Sequence, residues 1–150
     1  MSFKLSSRSK TNLLGVDHRL VAVVERAIEL TRVDFAVTEG LRTKETQAKY
    51  VAAGKSQTMQ SKHLDGQAVD LVAYVGPAIS WELNLYDDIA EAMRQAAKEK
   101  GIRLRWGAAW TVADITAWPG SMESAMNSYI DQRRRSGQRP FIDAPHFEMA

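Results

Sequence analysis

A carboxylate set inside an apolar run constrains this chain more than any other feature. Asp70 lies within Ala68-Val-Asp-Leu-Val72, a stretch that reads as a half-buried strand. Desolvating a lone carboxylate is costly unless a cation or strong donors meet it, so the fold has to bring such a partner to this strand. Two histidines stand in suitable places. His63 precedes Asp70 in Ser61-Lys-His-Leu-Asp-Gly66, and His146 closes the segment Asp143-Ala-Pro-His146 near the C-terminus. The chain has no cysteine and three histidines, so a site for a borderline cation such as zinc must use imidazole and carboxylate from a short list.

His63, Asp70 and His146 make three ligands, the number that a catalytic zinc uses while leaving a position for water. Closing the site as a structural zinc would take His18 or a further carboxylate, and His18, at the polar start of a helix, reads as solvated. Either motif histidine taken alone could be a hydrogen-bonded structural residue, and the paired carboxylates tip the reading toward ligation. Asp143 is close enough to His146 in sequence to stand beside the metal without binding it. That position suits a general base that takes a proton from metal-activated water and passes it to the departing amine. The alternative is that Asp143 caps the turn before Pro145.

The remaining pattern is a mixture of helices and strands with antiparallel-style turns, which predicts an α+β fold in which helices flank a small antiparallel sheet. Asp17 can cap a helix with Leu20, Val23, Val24, Ala27 and Ile28 on one stripe. Phe35 to Thr38 reads as a strand broken by Gly40. Thr43 can cap a helix running toward Gly54, which leaves Arg42 in the connecting loop. After the Asp65-Gly66 turn, residues 67–75 read as a strand with Ala68, Asp70, Val72 and Tyr74 on one face. Residues 85–100 form a striped helix stopped by Gly101, and 102–106 a strand. Ser121 can cap a helix ending at Gly137, within a 107–140 stretch expected to form a lid or wall. A short strand at 145–149 ends the chain, and the first residues read as a polar arm.

At 150 residues and 45% apolar content the chain suits a single domain with one core. The net charge of +2 does not demand nucleic acid, and a monomer with no nucleic-acid partner is expected. The N-terminus has no apolar signal segment, and no stretch approaches the ~18 apolar residues of a spanning helix.

Ser61-x-His63-x-x-Gly66-x-Ala68-x-Asp70 with Asp143-x-x-His146 resembles the zinc peptidases that cleave peptidoglycan stem peptides, a group that includes D-Ala-D-Ala carboxypeptidases and dipeptidases. Gly40-Leu-Arg42-Thr43, Gln47, Leu104-Arg-Trp106-Gly107 and Trp110 extend the resemblance over about residues 33–149. Within that group the chain looks most like phage L-alanyl-D-glutamate endopeptidases, the endolysins. The resemblance implies a zinc D-Ala-D-Ala carboxypeptidase-like fold over 1–150 with no separate cell-wall-binding domain. It also implies zinc on His63, Asp70 and His146, Asp143 as catalytic acid/base, and Arg42 contacting substrate and steadying the oxyanion. Ser61 and Gln47 could bind substrate, and Glu148 could support a ligand histidine. The implied reaction is hydrolysis of the L-Ala–D-Glu bond by an enzyme made in the host cytoplasm and acting from the periplasm once the membrane is breached. Two other readings stand beside it. One is a D-Ala-D-Ala carboxypeptidase or dipeptidase, and the other is a non-catalytic envelope-binding protein that uses Arg133, Arg134 and Arg135 against anionic surfaces.

Overall fold

The computed structural model describes residues 2–150. Along the chain run α1 (Ser7–Asn12), α2 (His18–Leu30), β1 (Asp34–Glu39), α3 (Lys44–Ala52), β2 (Ala68–Val75), β3 (Ala78–Ser80), α4 (Leu83–Lys100), β4 (Leu104–Trp106), α5 (Met122–Arg135) and β5 (His146–Met149). Single 3-10 turns occupy Lys62–Asp65 and Ile115–Ala117. The sheet order is β1-β2-β5-β4, with β3 paired to the end of β2, and every pairing is antiparallel. This is the expected α+β architecture.

The two faces of the sheet have different jobs, because successive side chains in a strand point to opposite sides. Val69, Leu71 and Ala73 of β2 fall on the core side with Phe35 and Val37 of β1, Phe147 of β5 and Leu104 of β4. The stripes of α2 (Leu20, Val23, Val24, Ala27, Ile28) and α4 (Ile89, Met93, Ala96, Ala97) belong to the same core. Each fully buried Leu or Ile there contributes roughly 1.5–3 kcal/mol. The opposite face carries Ala68, Asp70 and Val72 of β2, and His146 and Glu148 of β5, which stand across from Asp70 and Ala68. A shift of one residue in β2 would bury Asp70 in the core, so the hydrophobic pattern fixes the site's face.

Local signals account for most boundaries. The Asp17 carboxylate accepts from the Arg19 amide at the start of α2. Thr43 and Ser121 cap α3 and α5 in the same way, and Gly101 ends α4. The polar N-terminal arm departs from expectation, since part of it forms α1. Ser9 is fully buried, and its hydroxyl accepts from the Val37 amide while the Asn12 side-chain amide donates to the Val37 carbonyl. A polar helix thereby satisfies the edge of β1 that a further strand would otherwise seek. The hairpin strand β3 and the 3-10 turns were not evident from the sequence.

Asp87, at the start of α4, has a buried oxygen without a hydrogen-bond partner among the described residues. Burial, followed by the charges of Glu123, Asp88 and Glu91, pushes its carboxyl up to about 6. The unfolded chain ionises this group near 3.8 while the folded chain keeps it protonated, so stability falls as pH rises from about 4 to about 6. Asp87→Asn keeps the shape and removes the charge. It is expected to stabilise the protein at pH 7 by about 1 kcal/mol after solvent screening, and to have little effect at pH 4. Thermal melts at the two pH values check this, and an equal gain at both would exclude the charge as the cause.

Candidate metal centre

Four elements meet at the site. Asp70 of β2 lies directly opposite His146 of β5, and facing residues of an antiparallel pair project from the same side. On the other flank an irregularity between Val37 and Glu39 sets Glu39 opposite Asp70. His63 arrives on the 3-10 turn, and its own amide donates to Ser61 Oγ, which caps the turn. The turn ends at Gly66 with φ +69, where a Cβ would meet the Gly15 carbonyl oxygen at 2.5 Å. Only glycine fits that position.

His63 Nε2 lies 3.1 Å from Asp70 Oδ1, and His146 Nδ1 lies 3.4 Å from the same oxygen. One ligand atom from each of the three residues falls within 4.8 Å of the others. The rings are oriented from behind. His63 Nδ1 donates to the Gly40 carbonyl at 2.7 Å, and a carbonyl only accepts, so the Nε2 lone pair points at Asp70. His146 Nε2 donates to Glu148 Oε1 at 2.8 Å, which turns the Nδ1 lone pair the same way. Neutral imidazoles would therefore bring two lone pairs against a carboxylate with no donor between them. A cation resolves that conflict, and two imidazoles with one carboxylate suit zinc.

Proton affinities agree with this arrangement. Burial lowers the pKa of His146, but Asp70 and Glu148 outweigh it and hold it up to about 9. Burial works against the Asp70 anion too, yet the two histidines hold its carboxyl well below the usual range. The metal-free cluster thus concentrates positive charge where a cation would sit.

Asp143 lines the cleft in front of this cluster. Its amide donates to the Gly107 carbonyl at 2.8 Å, and its carbonyl accepts from the His146 amide at 3.0 Å. The turn before Pro145 is therefore closed by the Asp143 main chain. Trp106 Nε1 donates to the Ala144 carbonyl at 2.7 Å, and the Leu71 amide donates to the Pro145 carbonyl at 2.9 Å, so the segment is fixed on both sides. A Cβ on Gly107 would meet the Asp143 carbonyl oxygen at 2.3 Å, which explains a glycine after Trp106. Burial, then the negative charge of Asp70, pushes the Asp143 carboxyl up to about 6.

Arg42 sits deeper than a free substrate contact would. Its side chain is 7% exposed, and it donates to Glu39, to Gln47 Oε1 at 2.6 Å and to Asp70 Oδ2 at 3.5 Å. The guanidinium also lies over the Tyr50 ring, 4.6 Å from the centroid. Its geometry steadies the second oxygen of Asp70, while two of its five N–H groups remain for the cleft. Gln47, expected to touch substrate, is fully buried. Its amide is spent on Ser56, Thr58 and Arg42, so it braces the site from behind. Ser61 lines the cleft. His18 is exposed on the surface.

The cleft has a volume of about 950 Å³, with Lys62, Arg105 and Arg133 among its basic side chains and Tyr50, Trp81 and Trp110 among its aromatic ones. The wall expected from residues 107–140 is real, since Tyr129 and Arg133 of α5 line the cleft and Trp110 Nε1 donates to the Phe141 carbonyl at 3.0 Å. Trp106 belongs to the core, stacked on Phe147. Sequence reasoning missed Glu39, Tyr50 and Trp81. For Glu39 a signal existed, a carboxylate at a strand end three residues before an arginine. Tyr50 and Trp81 had none, because aromatics on a helix and in a strand-to-helix link usually pack.

The sequence model of a family described as phage L-alanyl-D-glutamate peptidase matches residues 1–150. The L-alanyl-D-glutamate peptidase of Escherichia phage T5 is 38% identical over 117 residues, covering 75% of this chain and 85% of that protein. The L-alanyl-D-glutamate peptidase of Listeria phage A118 is 32% identical over 108 residues, which are 70% of this chain and 37% of that longer protein. Among solved structures, the Serratia marcescens L-Ala D-Glu endopeptidase ChiX superimposes with a TM-score of 0.73 at 36% identity, covering 99% of this chain and 91% of that one.

Proposed function

Because the chain belongs to the phage L-alanyl-D-glutamate peptidase family, we propose that it hydrolyses the L-Ala–D-Glu bond of the peptidoglycan stem as a zinc peptidase. The observation that carries this is the meeting of His63, Asp70 and His146, with both imidazole tautomers set from behind by Gly40 and Glu148. These three residues would hold the ion. When bound, zinc supplies Lewis acidity to the scissile carbonyl and to the attacking water. Asp143 takes the proton from that water and delivers it to the nitrogen of D-Glu as the C–N bond breaks. Its elevated proton affinity suits both halves of the transfer, since the group must accept and then release a proton near neutral pH. Arg42 holds Asp70 in place, and its remaining N–H groups face developing charge on the carbonyl oxygen.

The enzyme acts on the bacterial wall, reached after a membrane lesion. No helix among the described residues is long and apolar enough to cross a membrane. Arg134 and Arg135 are exposed at the end of α5, where basic residues complement the helix dipole and are placed to meet an anionic envelope surface. Arg133 instead donates to Gln138 and to the Arg139 carbonyl. Purified sacculi distinguish the readings. The expected products carry new N-terminal glutamate, with no alanine set free, and their formation stops on chelation and returns with zinc. Released D-alanine or its dipeptide would identify a carboxypeptidase or dipeptidase instead, and envelope binding indifferent to chelation would point to a non-catalytic protein.

A further inference from the structure

Trp81 lines the same cleft as His63, Asp70 and His146, yet it is 65% exposed, more than any other tryptophan in the chain. It is also built into the scaffold. Its ring lies 5° from parallel to that of Tyr86 with centroids 6.3 Å apart, and Tyr86 is 1% exposed. The Tyr86 hydroxyl donates to the Ser80 carbonyl at 2.8 Å and accepts from the Ala73 amide at 3.2 Å. The backbone leading into Trp81 is β3, paired to β2. An indole that is both solvent-facing and held against a buried, hydrogen-bonded phenol offers a flat apolar face at little further entropic cost.

The covalent structure of the substrate says what should lie on such a face. That substrate is the one the peptidase reading above assigns. In peptidoglycan the amine of L-Ala is acylated by the lactyl ether of a pyranose in the glycan strand. One amino acid and the lactyl group therefore separate the scissile bond from a sugar ring. With about 3.3–3.6 Å of chain per residue, a substrate whose bond sits at the His63, Asp70 and His146 cluster must place that ring in the cleft or on its lip. The axial C–H groups of a pyranose form an apolar, faintly positive face that suits the negative face of an aromatic ring. The exposed side chains of Ile79 and Leu83 flank Trp81 in sequence. We propose that Trp81 is a carbohydrate platform for the sugar on the acyl side of the scissile bond.

The test compares wild type, Trp81→Ala and Trp81→Phe on two soluble substrates. One is a disaccharide-linked stem peptide, and the other is the same peptide with acetyl in place of the sugar. Trp81→Ala is expected to lower kcat/KM about tenfold on the sugar-bearing substrate, mainly through KM, and to change the acetylated one less than twofold. Trp81→Phe should retain part of the difference. Equal loss on both substrates, or no loss on either, overturns the platform. Should wild type cleave neither substrate, the peptidase reading fails, and calorimetric titration of the metal-free protein with the free disaccharide still decides. The platform then requires binding by wild type and weaker binding by Trp81→Ala, and it is overturned if the two are alike.

Discussion

Replacing Asp143 by asparagine is expected to lower kcat/KM on the stem peptide by about 10²–10⁴-fold, the usual range for a lost general acid/base, while zinc content and fold are retained. The side chain lines the cleft, and the segment that carries it is fixed by main-chain bonds to Gly107 and His146 that asparagine leaves in place. The loss should fall on kcat, because the role proposed for the carboxylate is to carry the moving proton. In the wild type the acid limb of the pH–rate profile should lie at or below about 6, where burial and Asp70 set the proton affinity of Asp143, and a bound cation would draw it lower. Asp143→Asn should lack that limb. A variant that keeps most of its kcat, or loses its zinc along with its activity, would remove Asp143 from the proton-transfer role.

The second large effect is expected from Asp70→Asn, which should abolish activity by removing the metal. The asparagine can occupy the same position between His63 and His146, but it replaces the one carboxylate of the proposed ligand set, so zinc affinity should fall at least 100-fold. A ligand that binds only the folded state stabilises it by about 2.7 kcal/mol at 100 times its Kd, which for a chain of this size raises Tm by roughly 5–10 °C. Wild type should show that rise on adding zinc, and Asp70→Asn should not. The metal-free variant should still fold, because an asparagine amide can donate to a histidine lone pair where the carboxylate could only accept. Zinc binding by competition against a chelator gives the affinity directly. An undiminished zinc-dependent rise in Tm would mean that the ion sits elsewhere.

These effects separate what was legible in the sequence from what was not. The helices α2, α3, α4 and α5 and the strands β1, β2, β4 and β5 announced themselves through periodicity, caps and glycines, since those signals act within a few residues. Helix α1 did not, because Ser9 and Asn12 are polar residues whose purpose is to satisfy an edge strand some 25 residues away. The fate of Gln47 and Arg42 was hidden for the same reason. A glutamine and an arginine near a motif look like substrate contacts until the packing shows where their hydrogen bonds go.

By itself the sequence determined the chemistry available here. With no cysteine and three histidines, and with one carboxylate stranded in an apolar run, the sequence narrowed the candidates for a mixed-ligand metal centre to His63, Asp70 and His146. The tertiary structure alone decided the donor geometry, because it depends on the β2 and β5 register that sets Asp70 against His146. It also depends on the Gly40 carbonyl and the Glu148 carboxylate that choose which nitrogen of each ring carries the proton. These partners lie 23 residues away in one case and two in the other, and no local pattern encodes the first.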